Sequence, residues 1–177
     1  DRSAYLTIGH PPALGDDQSA SRGSYILNTP STSLLDIDYN LGIWWLDPTG
    51  AEHTSSLVLP SLTPGWVYEG WGVVDGTPHS TGRFTELDEA DSDGAGPTSG
   101  PDDAPPFPGQ DFIVPPMSLI GGSAVISIEP EPDNSDAPFT LKPLVDDAIA
   151  DLGAGVPQDM TNNAAASSPT GTAEILV

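Results

Sequence analysis

The sequence predicts an all-β protein: an antiparallel, immunoglobulin-like β-sandwich with one short helix and a long acidic loop. Three observations carry that reading. Pro and Gly number 20 and 19 among 177 residues, so the chain is interrupted too often for long helices. The apolar runs between interruptions are short and rich in aromatic and β-branched residues, which suit a pleated, half-buried surface. Two such runs are joined by Asp75-Gly76, the strongest short-range hairpin signal.

Residues 5–8 and 25–27 read as two short strands around a polar loop. Residues 42–46 form a third, closed by the turn Asp47-Pro48-Thr49-Gly50 with Pro and Gly at favoured turn positions. Residues 56–59 form a fourth, stopped by Pro60. Residues 66–74 carry apolar side chains on both parities: Val67, Trp71 and Val73 on one, Trp66, Tyr68 and Val74 on the other. That places this strand in the interior of a sheet, with residues 80–84 as its return. Residues 87–116 then change character. Seven Asp/Glu, seven Pro and four Gly leave little to pack, and only Phe107, Phe112, Ile113 and Val114 offer anchors. A structureless stretch of this length marks a functional or mobile loop.

Order returns at residues 123–129, where Ala124, Ile126 and Ile128 share one face and Pro130 and Pro132 end the strand. Residues 139–142 read as the next strand. Residues 144–152 are the helical candidate, with Leu144, Ala148 and Leu152 on one face and Gly153 as the stop. Residues 172–177 read as a last strand. The expected organisation is one domain over residues 1–177 with 87–116 as an insertion. Four Trp, four Tyr and four Phe supply core material despite only 37% apolar content, and a chain of this size buries over roughly two-thirds of its unfolded surface.

Charge narrows the partners. Four Lys+Arg stand against 26 Asp+Glu, a formal charge of −22, while charged residues total only 17%. The imbalance therefore comes from missing cations, and it excludes ordinary binding to nucleic acid or an anionic membrane, both of which need Lys/Arg. Such a surface repels itself in dilute buffer and is tolerated where salt shortens the Debye length to roughly 3 Å at 1 M. A halophilic or very salty extracellular setting is expected. The absence of Cys removes disulfides and Cys-ligated zinc. The longest near-apolar run, Leu41 to Leu46, falls far short of the ~20 residues that cross a bilayer. The chain opens at Asp1 without a signal sequence, which reads as a trimmed ectodomain or a mature secreted protein.

A search for chemistry singles out few residues. The hydrolase elbow G-x-S-x-G does not occur; the nearest string is Gly121-Gly122-Ser123-Ala124-Val125. His10, His53 and His79 are isolated in polar contexts and lack zinc-ligand spacing, so they read as surface histidines. Carboxylate pairs such as Asp16/Asp17, Asp36/Asp38 and Asp146/Asp147 are expected by chance in so acidic a chain and select no glycosidase dyad. Glu69 is different, because it sits in the middle of the most apolar strand. Burial would raise its pKa, and a rim or interface position accounts for it equally well. Glu89-Ala90-Asp91-Ser92-Asp93-Gly94 matches the first half of a calcium loop, but the twelfth position is Gly100 instead of the closing Glu. A solvated acidic loop produces the same string. Trp44, Trp45, Trp66 and Trp71 are candidates for a sugar-stacking platform, since adjacent Trp44 and Trp45 face opposite sides of a strand. The commoner role of Trp in a sandwich is core packing. No residue is assigned a catalytic, cofactor-binding or metal-binding role, and no cofactor is expected.

The stretch Leu59-Pro60-Ser61-Leu62-Thr63-Pro64-Gly65-Trp66-Val67-Tyr68-Glu69-Gly70-Trp71 resembles the "LPxLPxGxxYxxW" segment of the anti-sigma-K factor C-terminal domain family. Residues Val73 to Phe84 are similar to that family's "VxDGxPxSxGxF" continuation. Upstream, Gly42 to Gly50 resembles its opening strand and turn, and Ala124 to Pro130 resembles its "AVSLEP" strand. The resemblance covers residues 42–84 and 124–144, with the acidic loop as an insertion, and Glu69-Gly70 stands where the family usually has Gln or a similar polar residue before the Trp. It implies a non-catalytic β-sandwich outside the cytoplasm, regulatory or sensory in the cell envelope. In such proteins a membrane helix joins the domain to a separate sigma-binding segment, and neither lies within this chain. The expected partner is a protein or a protease in the envelope, with no direct membrane insertion by these residues. The alternative is a secreted or cell-surface module binding carbohydrate, or acting through calcium at Glu89, Asp91 and Asp93.

Overall fold

A computed structural model describes residues 17–34, 37–133 and 135–167; the strands expected at 5–8 and 172–177, and His10, lie outside the described residues. In chain order the strands are β1 (Arg22–Leu27), β2 (Gly42–Trp44), β3 (Leu46–Asp47), β4 (Thr54–Ser55), β5 (Leu57–Val58) and β6 (Trp66–Val74). They continue with β7 (Thr77–Phe84), β8 (Gly109–Asp111), β9 (Ser123–Pro130), β10 (Leu144–Asp146), β11 (Gln158–Asp159) and β12 (Thr161–Asn162), followed by one helical turn, α1 (Ala164–Ser167).

The all-β sandwich is borne out. One sheet has the order β11-β1-β2-β8, with β5 also on β1; the other has the order β12-β10-β9-β6-β7; β3 and β4 make a small ribbon. Every pairing is antiparallel. Tyr25, Leu27 and Ile43 from the first sheet meet Tyr68, Phe84, Ala124, Ile126, Ile128 and Leu144 from the second in one buried core. Each aliphatic side chain sealed there contributes roughly 1.5–3 kcal/mol. The alternation expected for Ala124, Ile126 and Ile128 is the inward face of β9.

The Trp66–Val74 strand is flanked by β9 and β7, which accounts for its two apolar parities. Asp75 and Gly76 both take positive φ, 51° and 76°, as a two-residue hairpin turn of matching twist requires. Midway, Tyr68 pairs Phe84 and Glu69 pairs Arg83, but Trp71 already pairs Ser80, so a bulge sets Thr81 and Gly82 against Gly70. Thr81 consequently turns into the core, where Trp45 Nε1 donates to its hydroxyl at 3.3 Å.

Several expectations are corrected. Residues 42–46 divide at Trp45, whose N–H goes to Pro108 O and whose carbonyl accepts from Ser56. The segment 139–142 is not a strand: Leu141 O accepts from Ile128 N, but Phe139 N–H is given to the Glu129 carboxylate. The helix expected at 144–152 is absent. Leu144–Asp146 instead adds to the edge of β9, and Ala148 and Leu152, two of the three supposed face residues, are exposed. Asp146 accepts the Ala148 N–H at 3.1 Å and turns the chain away after three strand residues. Among the described residues the one α-helical turn forms later, at Ala164–Ser167, beside two 3-10 turns at Gln18–Ala20 and Tyr39–Leu41.

The acidic loop folds back onto the first sheet. Ile26, Trp44 and Leu46 leave the outer face of the first sheet, and Phe107 with Ala95 and Ala104 closes over them as a second core. Phe112 enters the main core, whereas Val114 is 69% exposed and anchors nothing. Within the loop, β8 adds to β2, and Asp111 is fully buried: it accepts from Trp44 Nε1 at 2.8 Å and from the Ser31 N–H at 2.9 Å and hydroxyl at 2.5 Å. Burial raises the pKa of Asp111, and these donors oppose the shift.

A candidate functional site: the acid-lined groove over the hairpin

The side chains of β6 and β7 that point away from the core do not all meet water. Glu69, Trp71 and Ser80 from the hairpin, with Ser127 and Glu129 from β9, form a polar layer on the outer face of the second sheet, and Glu69 is only 3% exposed. Antiparallel register explains the grouping, because Glu69 is opposite Arg83 on one side and Ser127 on the other.

Both oxygens of Glu69 are engaged. Ser80 Oγ donates to Oε1 at 2.5 Å and Arg83 Nε donates to Oε2 at 3.2 Å. Burial pushes the Glu69 carboxyl above its usual range, and the Ser80 hydroxyl and the Arg83 charge pull it back. Arg83 reaches further, to Asp133 O at 3.3 Å, to the Asp133 carboxylate at 3.8 Å and to Glu131 at 3.9 Å. One guanidinium thus organises three carboxylates, a use its rigid fork of donors suits. Behind it, Trp71 Nε1 donates to Ser127 Oγ at 2.8 Å, and Ser127 donates in turn to Glu129 Oε1.

The acidic loop forms the opposite wall. Asp91 lies over Gly82 and accepts from Gly109 N at 2.9 Å and from Asp93 N at 3.3 Å. Its carboxyl is pushed up to about 7, first by burial and then by the neighbouring Asp93 charge, with the Gly109 N–H opposing. Between loop and hairpin runs a groove of about 870 Å³, floored by Val67, Glu69, Trp71 and Arg83 and rimmed by Glu86, Glu89, Asp93 and Asp136. His79 stands at one side, its ring edge-on to Phe112 at 6.1 Å.

Glu69 is therefore buried, with the raised pKa that its place in the strand implied. The calcium string does not assemble: Asp91 turns inward while Glu89 and Asp93 stay exposed, and among the described residues no three His, Asp or Glu side chains converge as a metal centre. The tryptophan platform does not form either. Trp44 and Trp45 do face opposite sides, yet both are fully buried, Trp71 is 1% exposed, and half-buried Trp66 packs on Phe139 at 6.1 Å. Sequence reading missed the buried Glu129 and the partly buried Asp91 and Asp133. The legible signal was Arg83, one of only four cations, placed where its strand crosses from Glu69.

Chemically, Glu69 with both oxygens occupied suits fixing charge more than moving a proton. The groove as a whole offers hydrogen-bond acceptors and negative potential to a cationic group. No family model matches the chain, and no curated protein or solved structure matches it either.

Proposed function

We propose that the chain is a non-catalytic, extracytoplasmic regulatory domain resembling the C-terminal domain of anti-sigma factors, working by presenting its acid-lined groove to a protein partner or protease. The immunoglobulin-like assignment belongs to the same proposal. The observation that carries it is positional: the groove is floored by the Trp66–Val74 and Thr77–Phe84 hairpin, the same stretch that bears the family resemblance. Glu86, Glu89, Asp93 and Asp136 on the rim favour a partner segment bearing Lys or Arg, through complementary potential that steers encounter.

Site-specific photo-crosslinking in the host envelope tests this. A crosslinker at Ser92, on the rim, is expected to capture one discrete protein, and one at exposed Val58 on β5 is not. Capture should weaken as ionic strength rises. Equal labelling from both positions would contradict the groove as the working surface. Reproducible sugar binding on a glycan array would support the carbohydrate-binding alternative instead.

A further inference from the structure

The acidic loop meets the hairpin through Ser92, whose N–H donates to Arg83 O at 2.9 Å and whose hydroxyl accepts from Arg83 N at 3.1 Å. An aspartate stands on each side of it. Asp91 lies directly over Gly82, in the space that a Cβ would take. Its Oδ2 accepts from Gly109 N at 2.9 Å and its Oδ1 from Asp93 N at 3.3 Å, so one carboxyl joins the loop, β7 and β8. The Asp91 and Asp93 side chains are also hydrogen-bonded to each other. Two carboxyls share such a bond only while one of them holds a proton; ionised together, they repel. The surroundings do not answer that repulsion. On the loop the charged group acting on Asp91 is Asp93, with Glu86 and Glu89 along the same groove. From β8 comes the neutral Gly109 amide, and on β7 the Arg83 guanidinium is directed to Glu69, Glu131 and Asp133.

We propose that Asp91-Ser92-Asp93 is a proton-operated latch on the groove: a proton held between the two carboxyls keeps the loop wall closed on the hairpin, and its release to solvent frees the wall. The direction follows from linkage. In the closed loop Asp91 is pushed up to about 7, whereas a solvated Asp91 titrates at the ordinary value near 4. Closure is therefore fully favoured below 4, and the ratio of open to closed loop rises about tenfold per pH unit until about 7 and then levels off. A Lys- or Arg-bearing segment answers the charges that deprotonation leaves, so its capture and the release of the proton favour one another. This use of the latch rests on the functional reading above; the latch itself does not.

Amide hydrogen exchange on the whole chain, without partner, reads the latch. Each rate is divided by the rate of the unstructured amide at the same pH. The Ser92 and Gly109 amides, bonded to Arg83 O and to Asp91, should lose about tenfold protection per pH unit from 5 to 7 and then level off. Their opening should ignore low urea, whereas that of Ile126 in the core should respond to it, which separates local from global opening. Asp91→Asn supplies an N–H to Asp93 in place of the shared proton and keeps an acceptor for Gly109, so protection should become independent of pH. Asp93→Asn removes the repulsion and should move the levelling to lower pH. Protection in the parent that ignores pH overturns the proposal, as does a pH dependence that survives in Asp91→Asn. If Asp91→Asn does not fold, an unchanged levelling pH in Asp93→Asn overturns it. A sloping exchange profile without capture from Ser92 would reject the partner reading alone, and a flat profile with capture would reject the latch alone.

Discussion

At the scale of single residues, the molecule depends on acids placed where water does not reach them. Arg83→Met leaves Glu69 buried with Ser80 as its remaining side-chain donor, and should cost about 2–4 kcal/mol at neutral pH. The same variant should lose less near pH 4, because protonating Glu69 removes the charge that Arg83 answers; chemical denaturation at both pH values checks this. Asp91 has the opposite relation to its surroundings, with no cation among the groups acting on it. Its folded pKa of about 7 lies above the ordinary carboxylate value, so its contribution is fully present below the unfolded pKa near 4 and is lost as pH rises through 7. Asp91→Asn keeps an acceptor for Gly109 and should flatten the dependence of stability on pH between about 5 and 8. Unchanged pH dependence in that variant would place the titration elsewhere.

At the scale of elements, two glycines of the hairpin separate backbone from packing effects. Gly76 has φ of 76° with open space around it, so Gly76→Ala should cost about 1 kcal/mol through conformation alone. Gly82 has φ of 99° and the Asp91 carboxylate directly over it. Gly82→Ala should therefore cost clearly more and should also speed hydrogen exchange at Gly109, whose N–H depends on Asp91. The hairpin, its turn and its interior position were legible because local chemistry settles them: Asp-Gly supplies the positive φ and two apolar parities demand two flanking strands. The 144–152 segment was misread because Leu144, Ala148 and Leu152 satisfy a helical spacing by coincidence. What decides their conformation is the open edge of β9, and an edge is invisible in a local window. The burial of Asp111 was equally hidden, since it needs Ser31 and Trp44 from distant segments.

At the scale of the whole molecule, a charge of −22 reports two different populations of acid. The exposed ones repel each other, so Tm should keep rising from low to molar sodium chloride; a flat profile in thermal melts would contradict a salt-adapted surface. Glu69, Asp91, Asp111 and Glu129 are a second population whose carboxyls burial drives upward. Because Asp91 keeps its proton in the folded chain up to about pH 7 while the unfolded chain releases it near 4, stability should increase as pH falls from about 8 toward 5. The sequence could not divide the two, because seven acids in a Pro-rich loop look alike until β8 and Phe107 fold that loop onto the first sheet. The groove over the hairpin is built from folded-in carboxylates. Carbon-13 NMR titration of the side-chain carboxyls tests it most directly. Asp91 should titrate near pH 7 and Glu69 above the ordinary glutamate value, whereas midpoints near 4 for both would mean that loop and hairpin do not close on each other.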